Sequence, residues 1–224
     1  MPKKTLMVWG GWSGHEPQQC CDAVAQSLRE HGFEVEVSDT LDAFKDAARL
    51  KSLDLLVPIW TMGKIAREQA GPIFEAVRGG VGLAGWHGGM CDAFREHTEW
   101  QFMTGGQWVA HPGGEVEYTV NILDPLHFIT QGMKHFDVKS EQYYMHVDPA
   151  NRVLATTTFP TADGPHVSNG AVQMPVVWTK LYGQGRVAYT SLGHVAKTVR
   201  QPEVLRIITR LCLWAAHAED LAKD

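Results

Sequence analysis

Four histidines lie beside glycine or proline in loops that follow apolar stretches of the chain: His15, His87, His111 and His194. Loops on a rigid scaffold commonly present functional side chains. Neutral imidazole is the commonest protein ligand for zinc and similar divalent ions, and an open position among three such ligands lowers the pKa of bound water to about 7. We therefore predict a site for zinc or manganese. The four residues come from separate loops, without a compact ligand motif such as HExxH, so their convergence depends on the fold.

A metal-free alternative uses the same residues for proton transfer. Histidine titrates near neutral pH, so His87 and His194 on one substrate would act as general base and general acid. Glu141 or Tyr143, in the segment EQYYMH, would orient one of the two rings. Such a pair suits proton abstraction beside a carbonyl, as in an isomerisation or an elimination, and a hydrolysis would use similar groups. The residues leave both mechanisms open.

The segment GLAGWHGGMCDAF, residues 82–94, places His87 where an apolar run breaks into glycines. A strand that ends in such a motif and continues as a helical pattern predicts a sharp strand-to-helix turn, which lifts one side chain above the sheet. The lifted residue is a histidine, and not a serine or a cysteine. Cys91 lies one helical turn further on, and we expect it to point along the helix and not to act as the nucleophile.

Four tryptophans adjoin the candidate loops: Trp12, Trp60, Trp86 and Trp108. An aromatic face packs on the apolar face of a pyranose while the indole N–H donates a hydrogen bond, so these residues are candidates for sugar binding. Large aromatic side chains equally fill hydrophobic cores. The glycine-rich segments GGWSG and GGM fit neither the GxGxxG pattern nor the phosphate-binding loop with its lysine, so we expect no nucleotide cofactor.

Strand and helix patterns alternate through the first half of the chain. Apolar or alternating runs predict strands, and helical spacing of apolar residues predicts the helices between them. The predicted strands cover residues 5–9, 33–38, 53–60 and 81–86, and the predicted helices cover residues 17–30, 42–50 and 68–78. This order implies a parallel sheet with helices on both faces. Ligands bind outside the carboxyl ends of such strands, where several of the candidate loops lie.

The second half of the chain is less regular. Strand patterns at residues 115–123 and 153–159, and a hairpin of residues 176–182 and 186–191, predict antiparallel additions to the sheet. An amphipathic pattern over residues 202–216 predicts a closing helix packed on the sheet. We therefore predict an α/β fold with a mostly parallel central sheet and antiparallel strands in the second half.

The composition of the chain excludes several function classes. The 224 residues are expected to form a single domain, residues 1–224, with a net charge of −5 and 20% charged residues. Without a basic excess, neither nucleic acid nor an anionic membrane surface is an expected partner. The first apolar run ends at Gly10 and no stretch approaches the roughly 20 apolar residues of a transmembrane helix, so we expect a cytoplasmic protein. The four cysteines lack CxxC spacing and are predicted to be free buried thiols.

Five motifs, in order along the chain, carry a resemblance to a known family: GGWSGHEP, GLAGWHGG, GGQWVAHPGG, EQYYMH and PVVWTKLYGQGRVAYTSLGH. With them, the chain resembles the ThuA-like, trehalose-utilization proteins, a branch of the class I glutamine amidotransferase-like superfamily. The resemblance implies a flavodoxin-like three-layer sandwich, a role in carbohydrate metabolism and a small carbohydrate as ligand. Links to trehalose, other disaccharides and their 3-keto derivatives are the common theme of the family.

The chain departs from the amidotransferase pattern at one position. The motif of those enzymes resembles G-x-C-x-G-x-Q and places a cysteine nucleophile where this chain has His87. An imidazole cannot replace a thiolate nucleophile in the same reaction. The partner histidine of the amidotransferases follows a late strand, as His194 does here, so the resemblance implies that the acid–base half of the dyad is kept. We therefore expect no glutaminase activity.

Two functions of different classes are compatible with these residues. The first is an enzyme of sugar catabolism that acts by hydrolysis, isomerisation or elimination on a disaccharide such as trehalose or its 3-keto derivative. The second is a non-catalytic carbohydrate-sensing or partner-binding module on the same fold. The exposed edge of a mixed sheet and the many aromatic residues further predict a homo-oligomer.

Overall fold

Strands and helices alternate along residues 2–223, which the computed structural model describes. These residues contain eleven strands: β1 (Lys4–Gly11), β2 (Glu34–Ser38), β3 (Leu55–Thr61), β4 (Gly82–Trp86), β5 (Gly106–Ala110), β6 (Glu115–Ile122), β7 (Phe136–Glu141), β8 (Tyr144–Val147), β9 (Arg152–Phe159), β10 (Val172–Tyr182) and β11 (Gly185–Thr190). They also contain seven α-helices: α1 (Pro17–Glu30), α2 (Ala47–Leu50), α3 (Arg67–Arg78), α4 (His87–Cys91), α5 (Thr98–Thr104), α6 (Ala196–Val199) and α7 (Pro202–Ala215).

Nine of the described strands form one sheet in the order β2-β1-β3-β4-β11-β10-β9-β6-β7. The first five of these run parallel to one another. The other four extend the sheet as antiparallel neighbours. The remaining strands, β5 and β8, pair antiparallel as a separate ribbon. This architecture confirms the predicted α/β fold, with parallel strands first and antiparallel additions in the second half.

The sheet is buried on both faces because its central strands are apolar at nearly every position. Leu6 and Val8 of β1 pack into one core with Ile73 of α3. Met7 points to the opposite face and packs into a second core with Val24 of α1, to which α7 also contributes. Side chains of a strand alternate between the two faces in this way. Helices therefore lie on both sides of the sheet, as a three-layer sandwich requires.

Most predicted elements are present with boundaries shifted by a few residues, but the helix predicted at residues 42–50 is wrong as one element. A 3-10 turn covers Leu41–Phe44, and α2 begins only at Ala47. Asp46 separates the two because it lies in extended backbone and accepts a hydrogen bond from the Arg49 N–H at 3.0 Å, as an N-cap residue does. Three strands that the sequence patterns did not predict, β5, β7 and β8, position the segments around the candidate site.

The remaining fold-level predictions concern thiols, membranes and assembly. All four cysteines are free and buried, as predicted. Among residues 2–223, no helix has the length and apolar character needed to cross a bilayer. The structure comprises one chain, so the expected homo-oligomer stays a prediction.

Candidate metal centre

A cluster of histidines lies at the carboxyl ends of four neighbouring parallel strands. His15 follows β1, His87 follows β4 and His194 follows β11, while Thr61 ends β3 between them. Because these strands are adjacent in the sheet, their loops meet at one edge. The three ring centroids lie 4.8, 5.1 and 5.3 Å from one another. The fold therefore supplies the convergence that the sequence left open.

The predicted strand-to-helix turn is present at His87. Strand β4 ends at Trp86 in extended backbone, and α4 begins at His87 with a φ of +47°. A positive φ is strained for a residue that carries a Cβ. The next position needs glycine because a Cβ on Gly88 would come within 2.8 Å of Cε1 and 2.9 Å of Nδ1 of His15. The turn thus packs the loops after β1 and β4 directly against each other.

The Glu141 carboxylate, at the end of β7, lies among the three imidazoles. Its Oε2 lies 3.1 Å from His87 Nε2 and 3.7 Å from His15 Nε2. Its Oε1 lies 3.4 Å from His194 Nε2. One ligand atom from each of these four residues lies within 4.8 Å of the others. A group of three imidazole nitrogens and a carboxylate oxygen has the donor chemistry that zinc and related divalent ions take.

The opposite nitrogen of each ring, Nδ1, contacts an oxygen that can accept its proton: Thr61 Oγ1 at 2.9 Å for His15, the Ser191 carbonyl at 2.7 Å for His87, and Glu115 Oε1 at 3.1 Å for His194. A neutral ring that donates from Nδ1 carries a lone pair at Nε2. Metal-binding histidines commonly show this arrangement, in which an outer oxygen fixes the tautomer and the ring orientation. In this tautomer, the lone pairs of the three Nε2 atoms are directed toward the Glu141 carboxylate.

The buried His87 ring lies against two oxygen atoms, those of Ser191 and Glu141, but carries too few protons to donate to both. Complete burial lowers the pKa of His87 to about 4, so at pH 7 the ring is neutral and carries one N–H. That proton can satisfy the Ser191 carbonyl or the Glu141 carboxylate, but not both. Burial raises the pKa of Glu141, but its contacts with His15 and His87 outweigh this and hold that pKa well below the usual range. One of the two contacts of His87 therefore lacks a proton, and a cation bound at Nε2 would let the ring donate to the Ser191 carbonyl while the carboxylate binds the ion.

His111 lies outside this group, which differs from the predicted ligand set of four histidines. Its Nε2 lies 3.7 Å from Glu141 Oε1, and its side chain is 37% exposed, whereas the three clustered rings are largely buried. It follows β5 in the separate ribbon and so reaches the carboxylate from outside the sheet edge. Its Nδ1 has no partner among the described residues. Glu141, which was expected to orient a catalytic histidine, takes the fourth place in the group.

Tyr143 and two of the predicted sugar-binding tryptophans border the group. The Tyr143 ring stacks on His87 at 3.9 Å between centroids. Trp12 is 46% exposed and lies 4.7 Å from His15. Trp108 is half-buried and lies 6.2 Å from Tyr143. These rings offer aromatic surface beside the ligand atoms.

The other two predicted sugar-binding tryptophans, Trp60 and Trp86, pack against the protein. Trp60 is half-buried at the end of β3, where its ring packs over Gly10 of β1. Trp86 is 2% exposed and its ring belongs to the hydrophobic core between the sheet and α7. A buried ring has no face for a sugar, so the structural role fits Trp86 better than the binding role.

Comparison with known proteins identifies the family. The sequence profile of the ThuA family, described as trehalose utilisation, matches residues 4–215. The chain belongs to this family. A search of curated proteins found no significant match.

Solved structures show the same fold as this member of the ThuA family. A ThuA-like protein from Parabacteroides merdae ATCC 43184 has a TM-score of 0.77 at 21% identity, over 96% of this chain and 90% of that one. A ThuA-like protein from Bacteroides uniformis ATCC 8492 has a TM-score of 0.74 at 16% identity, over 100% and 93%. A β-galactosidase from Rahnella sp. R3 has a TM-score of 0.62 at 14% identity, over 99% of this chain and 31% of that one. At these identities the likeness shows the fold alone.

Membership of the ThuA family supports a carbohydrate-related role. The position of a thiol nucleophile is held by His87, and the nearest cysteine along the chain, Cys91, is 1% exposed. Burial raises the pKa of the Cys91 thiol. Nucleophilic cysteines need a lowered pKa and access to substrate, and Cys91 has neither.

Three residues at the site are absent from the sequence-based predictions: Glu115, Asp92 and Arg95. Glu115 begins β6, and its sequence pattern indicates only a strand residue. Asp92 and Arg95 directly follow the turn at His87 with a spacing of three residues, and they form an ion pair at 2.6 Å. Two opposite charges three positions apart, directly after the turn at His87, can indicate an ion pair beside the site.

Proposed function

We propose that this chain is a metal-dependent enzyme of carbohydrate catabolism that acts on a disaccharide such as trehalose or on its 3-keto derivative. The observation that carries the proposal is the set of three imidazoles, each held at Nδ1, whose Nε2 atoms surround the Glu141 carboxylate. The trehalose-utilisation family supports the substrate class. His15, His87, His194 and Glu141 are the residues that would hold the ion, zinc or manganese.

A divalent ion in this group would polarise a carbonyl oxygen of the sugar and lower the pKa of a water molecule. Tyr143 fixes the plane of His87 by stacking. His111 reaches the same carboxylate from the exposed side, so it is the imidazole available for proton exchange with a substrate. Trp12 and Trp108 offer aromatic faces on which a sugar ring can pack.

The metal-free mechanism, with His87 and His194 as base and acid, fits the geometry less well. Both nitrogens of His87 already contact oxygen atoms of the protein, at 2.7 and 3.1 Å, and its side chain is 1% exposed. A general base must reach the proton that it removes. His87 is therefore a ligand in the proposed mechanism, which covers hydrolysis, isomerisation and elimination but not glutamine hydrolysis.

A second candidate is a non-catalytic carbohydrate-binding module. The observation that favours it is the number of protein ligands, because four are typical of structural zinc sites whereas catalytic sites usually keep an open position. In that case the ion would hold the loops together, and the sugar would bind without being converted.

One experiment separates these functions. Metal content is measured by elemental analysis of the purified protein, and conversion of trehalose and 3-keto-trehalose is followed by NMR before and after chelation and metal return. The enzyme predicts near-stoichiometric zinc or manganese, with conversion lost on chelation and restored by the ion. Equal conversion by metal-free protein would overturn the metal dependence. Saturable sugar binding without conversion would favour the module.

A further inference from the structure

An arginine lies fixed on two sides at the border of the metal group. Arg95 donates from Nε to Asp92 Oδ1 at 2.6 Å and from Nη2 to Asp92 Oδ2 at 2.9 Å. The guanidinium carbon lies 4.5 Å from the centre of the Trp108 ring, over its face. Asp92 is buried, and its carbonyl accepts a hydrogen bond from Met62 N at 2.8 Å. A bidentate ion pair and a stacking contact together fix both the position and the plane of the guanidinium.

The ion pair leaves one edge of the guanidinium for a ligand. An arginine carries five N–H groups, and the contact through Nε and Nη2 uses two of them. The outward N–H groups on Nη1 and Nη2 are parallel and form a second fork. The Arg95 side chain is 41% exposed, whereas that of Asp92 is 3% exposed, so the solvent-accessible part of the pair belongs to Arg95.

This fork lies beside the residues of the proposed site. Trp108, which carries Arg95 over its face, lies 5.7 Å from His111 and 6.2 Å from Tyr143 between ring centroids. Tyr143 in turn stacks on His87. The indole Nε1 of Trp108 is buried without an acceptor among the described residues. An unpaired indole donor and an open guanidinium edge thus occur together, one or two rings away from the ligand atoms.

The surrounding charges indicate what this edge binds. Asp92 neutralises Arg95 in a half-buried bidentate pair, and the carboxylates of Glu141 and Glu115 lie at the neighbouring imidazoles. The negative groups disfavour a further anion, since like charges nearby cost free energy. A neutralised guanidinium in fixed orientation instead acts as a pair of parallel donors, which matches two neighbouring hydroxyl oxygens of a sugar.

We propose that Arg95 is a specificity-determining residue that binds the sugar ring farther from the metal group, through two adjacent hydroxyl groups. This inference rests on the proposed function, because it assumes a disaccharide at the site. Asp92 and Trp108 are positioning residues that hold the guanidinium for this contact. A monosaccharide occupying only the metal group makes no contact with Arg95.

The test compares Arg95→Lys with the wild-type enzyme in the conversion of 3-keto-trehalose, and measures the binding of trehalose and of 3-keto-glucose by calorimetry. Lysine keeps the charge beside Asp92 but lacks the fork. Loss of two hydrogen bonds predicts a KM for 3-keto-trehalose and a Kd for trehalose raised roughly tenfold to a hundredfold. The kcat for 3-keto-trehalose and the Kd for 3-keto-glucose stay within about twofold, because the metal group is untouched.

Two further variants distinguish a loss of sugar binding from a loss of folding. Asp92→Asn/Arg95→Gln removes both charges, so it leaves no buried carboxylate unpaired, and it should show the same loss of disaccharide affinity. Arg152→Gln removes an arginine that pairs with Asp124 at 2.8 Å on β9, and it should change neither constant. Unfolding curves of all variants identify any change in stability.

The outcomes for Arg95 and for the proposed function are distinct. Wild-type conversion with an unchanged KM and Kd in Arg95→Lys overturns the role of Arg95 alone. Equal losses on the monosaccharide and the disaccharide also overturn it, since they indicate a general disturbance of the site. A wild-type protein that neither binds trehalose nor converts 3-keto-trehalose overturns the proposed function, and the role of Arg95 with it.

Discussion

Nε2 of His87 lies 3.1 Å from Oε2 of Glu141, while Nδ1 of the same buried ring lies 2.7 Å from the carbonyl oxygen of Ser191. A neutral imidazole has one proton for these two oxygens, so one contact lacks a donor. Buried polar atoms are nearly always paired, and the cost of leaving one unpaired is about 1–3 kcal/mol. A bound divalent ion removes this conflict.

Replacement of His87 should abolish metal binding. We expect His87→Ala to retain less than about a tenth of the wild-type metal content, because metal sites commonly need all of their ligands. The measurement is elemental analysis after gel filtration, with circular dichroism to check the fold. His146→Ala, which removes an exposed histidine of β8, is the matched control and should keep its metal. Full metal content in a folded His87→Ala protein would show that the ion lies elsewhere.

Replacement of His111 should separate metal binding from turnover. His111 lies outside the ligand group, so His111→Ala should keep stoichiometric metal. Its conversion of 3-keto-trehalose should fall by roughly 10²–10⁴-fold, the usual contribution of a general acid or base. Metal analysis and kcat are measured on one preparation. Loss of the ion in this variant would return His111 to the ligand set.

The outer oxygen on His194 should tune metal affinity. Glu115 contacts His194 Nδ1 at 3.1 Å, and loss of such an outer partner typically weakens metal binding about 10–100-fold. Competition with a chromogenic chelator would measure this effect in Glu115→Gln. Glu117→Gln changes an exposed residue two positions further along β6 and should bind metal like the wild type. Identical affinities in the two variants would contradict the role of Glu115.

Two glycine variants should behave oppositely. In Gly88→Ala, the new Cβ would come within 2.8 Å of His15 and 2.9 Å of Thr61, which moves the His15 ring away from Glu141. We expect this variant to lose metal and activity. In Gly71→Ala, the new Cβ in α3 meets nothing within 4 Å, so the variant should keep both and gain about 0.5–1 kcal/mol of stability. Normal metal content in Gly88→Ala would show that the loops can separate freely.

The metal-free protein should lose stability as the pH falls from 6.5 to 4. Burial lowers the pKa of His87 to about 4, so the unfolded chain binds a proton in this range that the native state does not. The contribution, about 3 kcal/mol, is fully present above about pH 6.5 and is lost as the pH falls through 4. The lowered pKa of Glu141 acts in the same direction at still lower pH.

Urea unfolding of the chelator-treated protein at pH 7, 5.5 and 4 measures this slope. His87→Gln removes the titrating group, so its free energy of unfolding should depend less on pH across the same range. Parallel pH profiles for the two proteins would mean that His87 is not the group responsible.

Local pattern was sufficient for much of the fold. The alternation of apolar runs with helical spacing in the first half predicts β1 to β4 and the helices α1 and α3, because each element expresses its own periodicity. Glycines around His87 predict the strand-to-helix turn, since a sharp turn at a crowded sheet edge needs residues without a Cβ. The strands β5, β7 and β8 carry no such signal, because their place in the fold depends on partners elsewhere in the chain.

The sequence by itself determined that His15, His87 and His194 follow strands of an α/β sheet. The tertiary structure decided that those strands are neighbours, and therefore that the three rings share one carboxylate. It also placed Glu141 among the ligand atoms and left His111 at the edge. These outcomes depend on the order of strands that are distant in sequence and on the three-dimensional positions of side chains from separate loops, which residue types and spacing along a chain do not encode locally.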